Sequence, residues 1–191
     1  MGEFIVDVNR KLVFQDAPQR LRYRPEDPFI RTIEMGIRRR EDMADDNFIG
    51  YIECRIWNTA SQKDNTFWQY AFEYEKDQEE KPFCAVCNFT GKKLSAVSLI
   101  KGKKAIPGWA FYISEFAVYE DVLVQYPGIR REQLEPSILS SVADMLQYSF
   151  FIKPVYGFIC DRDLLPGTLA AAEFNRLGQI GQTTVYMKNF K

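Results

Sequence analysis

The chain contains no histidine. That single absence removes the commonest general base, every Ser-His and Cys-His nucleophile pair, and the usual histidine-bearing zinc and iron sites. Any chemistry has to run on carboxylates, tyrosines, hydroxyls, thiols or a bound cofactor. Cysteine is scarce as well: Cys54, Cys84, Cys87 and Cys160 are too few for a disulfide scaffold in 191 residues. Cys84 and Cys87 form a Cys-x-x-Cys, yet no second pair accompanies them. The alternation of Phe83, Ala85, Cys87 and Phe89 reads as a strand, whereas thioredoxin-type redox chemistry uses this motif at a helix start. On a strand the two thiols point to opposite faces, which makes them small buried hydrophobes.

Long hydrophobic runs are missing too. No segment approaches the length that spans a bilayer, and the N-terminus lacks the basic-then-apolar pattern of a signal peptide. Met1-Gly2 opens like an acylation site, but Val6 stands where the myristoylation pattern needs Ser or Thr. The expectation is a cytosolic protein without a membrane partner. Charge of one sign is also lacking: the net charge is −1, so no global field draws the chain to nucleic acid, and such a partner would need a local patch. An apolar fraction of 46% and an aromatic fraction of 15% belong to a chain that folds, and the length suits one domain over residues 1–191.

What is present begins with strands. Phe4 to Val8 and Lys11 to Phe14 read as an N-terminal hairpin or edge strand, Ala17 to Pro28 as a proline-broken loop, and Phe29 to Ile37 as a strand or a helix, its alternation favouring the strand. Arg38-Arg39-Arg40 with Glu41, Asp42, Asp45 and Asp46 reads as a solvated loop whose opposite charges compensate, rather than as a phosphate contact. Phe48 to Trp57 is a further strand. Trp68, Tyr70, Phe72 and Tyr74 alternate strictly and suit the core face of an antiparallel sheet, with base stacking or an acyl tunnel as the functional alternative. Leu94 to Ile100 is another strand, flanked by lysines (Lys92, Lys93, Lys101, Lys103, Lys104) that either form a modest basic patch or protect strand edges. The region 57–108 thus looks like an inserted set of antiparallel strands.

From Trp109 the style changes. Trp109 to Val118 is an aromatic and β-branched strand. Ile138, Leu139, Val142, Met145, Leu146 and Phe150 follow the spacing of one helix face. Pro154 to Cys160 reads as a strand, Leu164 to Leu177 as a helix with Pro166 near its start and Gly178 past its end, and Thr183 to Met187 as the closing strand.

This order, over Phe111 to Phe190, resembles the acyl-CoA N-acyltransferase (GNAT) superfamily. Ile113-Ser-Glu-Phe-Ala-Val118 is similar to that family's fourth strand, Ala170 to Gly178 with Phe174-Asn-Arg-Leu-Gly178 to its late helix, and Tyr186-Met-Lys188 to its last strand. The resemblance covers less than half of the chain. It implies an α/β fold of the α+β type: a mixed sheet with antiparallel N-terminal strands followed by β-α-β-α-β, and helices on both faces. It also implies transfer of an acyl group from acetyl-CoA or another acyl-CoA to an amine on a small molecule or a protein.

The family's cofactor loop runs Gln or Arg, two residues, Gly, one residue, then Gly or Ala, and its N–H groups at a helix start receive the pyrophosphate. Gln125-Tyr-Pro-Gly128-Ile-Arg130 matches the first two fixed positions and carries Arg130 at the third. A second register starts the helix at Pro136 and offers Ser137 instead. By resemblance Val118, Gln125, Gly128, Arg130 and Ser137 are the cofactor-binding candidates, and Glu115 is the base that deprotonates the amine. Phe174 stands where the family has a proton-giving tyrosine, which leaves Tyr112, Tyr119 and Tyr186 as substitutes, Tyr112 and Tyr186 foremost. Two alternatives stand beside this: the same scaffold with another donor, as in acyl-homoserine lactone synthases or nucleobase-modifying transferases, and a catalytically silent binding or inhibitor module.

Overall fold

Ten strands and three helices are seen in the computed structural model, which describes residues 4–7, 12–16, 31–39, 48–58, 87–90, 93–96, 108–160, 164–180 and 183–190. In chain order these are β1 (Phe4–Asp7), β2 (Leu12–Asp16), β3 (Arg31–Arg39), β4 (Gly50–Asn58), β5 (Cys87–Thr90), β6 (Lys93–Ala96), β7 (Trp109–Val118), α1 (Glu120–Leu123), α2 (Arg131–Phe150), β8 (Pro154–Cys160), α3 (Thr168–Ala171), β9 (Asn175–Ile180) and β10 (Thr183–Asn189). Eight strands form one sheet in the order β1-β2-β3-β4-β7-β8-β10-β9, while β5 and β6 pair as a separate ribbon. Every neighbouring pair in the large sheet is antiparallel except β7 with β8. The architecture is therefore a mixed sheet with few helices. The connection from β7 to β8 runs through α2, as a parallel pair requires.

Both faces of the sheet bury apolar side chains: the far face carries Tyr51, Trp57, Tyr112, Tyr156 and Phe158, with Trp57 stacked on Phe158, and the helix-facing side carries the main cluster. Ile33, Met35 and Ile37 of β3, Ile52, Cys54 and Ile56 of β4, and Phe111 and Ile113 of β7 recur at every second residue and pack on Leu134, Ile138, Leu139, Val142, Met145 and Leu146 of α2. Burying each of these aliphatic side chains stabilises the fold by about 1.5–3 kcal/mol. Gly157 of β8 lies opposite Phe111 in the parallel ladder. A Cβ there would meet the Phe111 ring at 2.4 Å, so glycine is what lets that ring lie flat on β8 beside Phe190.

Several expectations meet the structure directly. The β1–β2 hairpin, β3, β4, β7, β8 and β10 lie where apolar alternation places them, and α2 covers the expected helix face. Three differ. Leu164 to Leu177 is not one helix: α3 ends at Ala171, Glu173 turns left-handed with φ 64°, and Asn175–Ile180 forms edge strand β9 against β10. The Phe174 amide donates back to the Leu169 carbonyl at 2.8 Å, and Lys188 Nζ reaches the Ala172 carbonyl at 2.9 Å and the Glu173 carboxylate at 3.0 Å, so the chain is turned out of the helix and the turn is held from β10. Secondly, the described helices are not seen on both faces. Among the described residues α1, α2 and α3 share one core cluster on a single face. Thirdly, Arg38 and Arg39 do not sit in a solvated loop: β3 continues through them because β2 pairs alongside, Leu12 opposite Arg39 and Val13 opposite Arg38. Arg38 is buried, and the Arg39 guanidinium lies 5.3 Å from the centre of the Tyr126 ring.

The expected strand at Trp68 to Tyr74, Cys84 of the Cys-x-x-Cys, Arg40, and the lysines Lys92, Lys101, Lys103 and Lys104 lie outside the described residues.

Candidate functional site

Two features of β7 set the geometry. Its parallel pairing with β8 runs from Trp109 opposite Pro154 to Ile113 opposite Ile159 and, among the described residues, goes no further, while β7 itself continues to Val118. At the same point its antiparallel register with β4 slips: Cys54 faces Ile113, Glu53 faces Glu115, and Ser114 is the extra residue of a bulge. The Ser114 hydroxyl donates to the Glu53 carboxylate and lies 3.4 Å from the Glu53 carbonyl oxygen. The last five residues of β7 thus run beyond the described end of β8, from a bulge that a buried carboxylate fastens.

Glu53 belongs to a row. On the face away from the helices, Glu34 of β3 lies opposite Glu53 of β4, which lies opposite Glu115 of β7. Like charges facing each other across strands are unfavourable. Glu34 and Glu53 are buried, and the guanidinium of Arg55 approaches Glu53 at 3.3 Å. Glu115 alone of the three is exposed. Among the described residues no group of three or more Cys, Asp or Glu side chains is arranged to hold a metal ion.

Tyr112 shares this face, opposite Arg55, but is buried, and its hydroxyl donates to Cys160 Sγ at 3.4 Å across the β7–β8 seam. Tyr186 lies on the opposite face, in line with Ile159 and against the core cluster. Of the proposed acid-base residues the structure therefore brings Glu115 and Tyr112 onto one face and leaves Tyr186 on the other. Val118, at the end of β7, is half-buried against the core opposite Gly50.

Beyond Val118 the chain makes the single turn α1, then runs through Gln125, Pro127 and Gly128 into α2. Gly128 has φ 97°, a conformation that strains any other residue, and nothing lies within 4 Å of where its Cβ would be. Gln125 and Arg130 are exposed, and Arg130 caps α2 with extended backbone. The helix begins at Arg131, so Gln125 to Arg130 leads straight to its N-terminus and Pro136 falls in the second turn. Ser137 is inside the helix, where its hydroxyl donates to the Gln133 carbonyl at 2.8 Å rather than standing at the first turn.

Sequence reasoning passed over the residues that hold this loop. Arg131 Nη1 donates to Glu120 and Nε to Glu135, each at 2.6 Å. Glu135 is fully buried, and its other oxygen accepts from Thr168 Oγ1 at 2.7 Å and from the Leu165 amide at 3.0 Å. The guanidinium is held in its charged form above its ordinary value, first by the hydrogen bond to Glu120, against burial and with help from Glu135. Arg131-x-x-x-Glu135 has the i, i+4 spacing of a helical ion pair, and that spacing was the available signal.

Cys54, under the row on the helix-facing side, is buried, and burial pushes its thiol well up, with the charge of Glu53 adding to the shift. In the unfolded chain that thiol loses its proton from about pH 8.5. The folded state therefore binds more protons above that pH, so this contribution is complete below it and is lost as pH rises, by up to about 1.4 kcal/mol per unit. Chemical denaturation of Cys54→Ala should show a shallower loss of stability than the parent between about pH 9 and pH 10. Equal slopes would exclude Cys54 as the source.

Comparison with known proteins gives no matching family model and no matching curated protein. No helix among the described residues is long and apolar enough to cross a membrane.

Proposed function

We propose that this chain is an acyl-CoA-dependent N-acyltransferase that moves an acyl group directly to an amine, with acetyl-CoA the simplest donor. The observation that carries the reading is the length of β7 beyond β8: among the described residues pairing ends at Ile113 and Ile159, β8 ends at Cys160, and β7 continues to Val118 and leads through the Gly128 loop into the N-terminus of α2. The sheet order β4-β7-β8-β10-β9, with its single parallel pair, supports the same scaffold. In this reading a pantetheine arm enters between the strand ends, the amides of the first turn of α2 receive phosphate, and Glu115 takes the proton from the attacking amine. Gln125, Gly128 and Arg130 border the phosphate end and Val118 the arm.

A second reading has one observation in its favour. Glu120, Asp121 and Glu132 surround the start of α2, and Arg131 is already engaged by two carboxylates. That charge balance favours the same scaffold with a less anionic donor, or a silent binding module.

Thermal unfolding with and without acetyl-CoA separates them. A ligand at a hundred times its Kd stabilises the folded state by about 2.7 kcal/mol, and for a chain of this size about 1 kcal/mol moves Tm by 2–4 °C. A rise of about 5–10 °C is expected at saturating donor. An unchanged Tm at millimolar acetyl-CoA rejects the coenzyme A reading.

A further inference from the structure

The side chains at the start of α2 do more than end a helix tidily. α1, which carries Glu120, follows the C-terminal end of β7; Leu165 and Thr168 follow the C-terminal end of β8. Between them stand Arg131 and Glu135 of α2. Glu120, Arg131, Glu135 and then Thr168 with the Leu165 amide make one continuous chain of charge-assisted hydrogen bonds, with separations of 2.6, 2.6, 2.7 and 3.0 Å. It spans the segments that follow the two strands whose pairing has just ended. Arg131 also closes the loop from α1 to α2 over eleven residues of sequence, including Gly128.

From this we infer that Arg131 is a positioning residue: a strut that fixes the distance between the ends of β7 and β8 and the shape of the Gly128 loop, and thereby sets donor affinity without touching the donor. The inference rests on the acyl-CoA reading for its effect on the donor, but the strut itself is a property of the free protein. Three things argue for a strut over an anion ligand. The guanidinium is only partly exposed, its side chain 24% accessible. Two carboxylates already occupy its fork at the short distance of strong pairs. The carboxylate it shares with α3 is fully buried, so swinging Arg131 out to meet a phosphate would strand that charge.

The two roles predict opposite signs for one substitution. Glu120 is largely exposed, so Glu120→Gln removes the charge that strengthens the strut at its outer end and weakens it there without disturbing the buried half. If Arg131 is a strut, Glu120→Gln raises the KM and Kd for acetyl-CoA about twofold to fivefold, in keeping with the small free energy of an exposed pair, and leaves kcat alone. If Arg131 is a ligand, removing a competing carboxylate lowers both constants, and the inference falls. Unchanged constants overturn it as well. Should the unsubstituted protein fail to bind acetyl-CoA at all, the donor reading is lost, and amide hydrogen exchange over residues 124–134 in the free protein decides the strut by itself. Faster exchange in Glu120→Gln than in the parent supports it, and identical exchange overturns it.

Discussion

Replacing Glu115 by glutamine is expected to lower amine acylation by about a hundredfold to ten-thousandfold near neutral pH, with the affinity for acetyl-CoA unchanged. The substitution keeps the shape of the side chain and removes only its capacity to accept a proton. Of the three glutamates in the cross-strand row, Glu34 and Glu53 are buried, and Glu53 is held by Ser114 and Arg55. Glu115 is exposed and sits on the length of β7 beyond its last described pairing with β8. Tyr112, on the same face, is buried and already donates its hydroxyl hydrogen bond to Cys160. Initial rates with saturating acetyl-CoA and a primary amine, paired with a direct measurement of donor binding, distinguish a lost base from a lost fold. Turnover within about threefold of the parent would remove Glu115 from the mechanism, since a positioned base contributes far more than that.

Why the exposure of Glu115 differs from the burial of Glu34 and Glu53 is not encoded in a strand pattern. The stretch Trp109 to Val118 is aromatic and β-branched throughout, so the strand and its one carboxylate stand out together. Ile33-Glu34-Met35 and Ile52-Glu53-Cys54-Arg55-Ile56 alternate in the ordinary way of a strand with one wet face, and alternation alone places Glu34 and Glu53 in solvent. In the structure both are buried. Period tells which side chains share a face; it does not tell whether that face is covered. The bulge at Ser114 escaped for a related reason, since an extra residue in one strand is defined only against its partner, and β4 lies about sixty residues earlier.

The same limit explains the late helix. Leu164 to Leu177 has a proline near its start, three alanines and a glycine after its end, all of which favour a helix locally. What overrides them is the edge of the sheet: β10 offers Asn175–Ile180 a ladder of backbone hydrogen bonds, and the left-handed Glu173 turns the chain into it. The central elements were legible because propensity, period and tertiary pairing agree there, as in β7, α2 and β8. The Gly128 loop stands out in the sequence as a spacing, while its bracing by Arg131, Glu135 and Thr168 needed residues 33 positions apart to be seen together.

That bracing yields the largest stability effect expected in the protein. Glu135 is completely buried and accepts three hydrogen bonds, from Arg131, Thr168 and the Leu165 amide. Glu135→Ala removes the acceptor and leaves a guanidinium, a hydroxyl and a backbone N–H facing a cavity. Breaking a buried charged pair from one side costs about 3–5 kcal/mol, whereas the exposed Glu120–Arg131 contact by itself is worth at most about 1 kcal/mol. For a chain of this length that corresponds to a Tm lowered by roughly 6–20 °C. The cost comes from stranding partners rather than from losing attraction, so removing the guanidinium as well should restore part of it: Arg131→Met with Glu135→Leu, which still leaves the Thr168 hydroxyl and the Leu165 amide without their acceptor, is expected to be less destabilised than Glu135→Ala. Denaturant titration of the single and double variants tests both statements. If Glu135→Ala costs less than about 1 kcal/mol, the Arg131–Glu135–Thr168 chain is not what joins α2 to α3, and apolar packing of Leu134, Ile138 and Leu169 holds that junction without it.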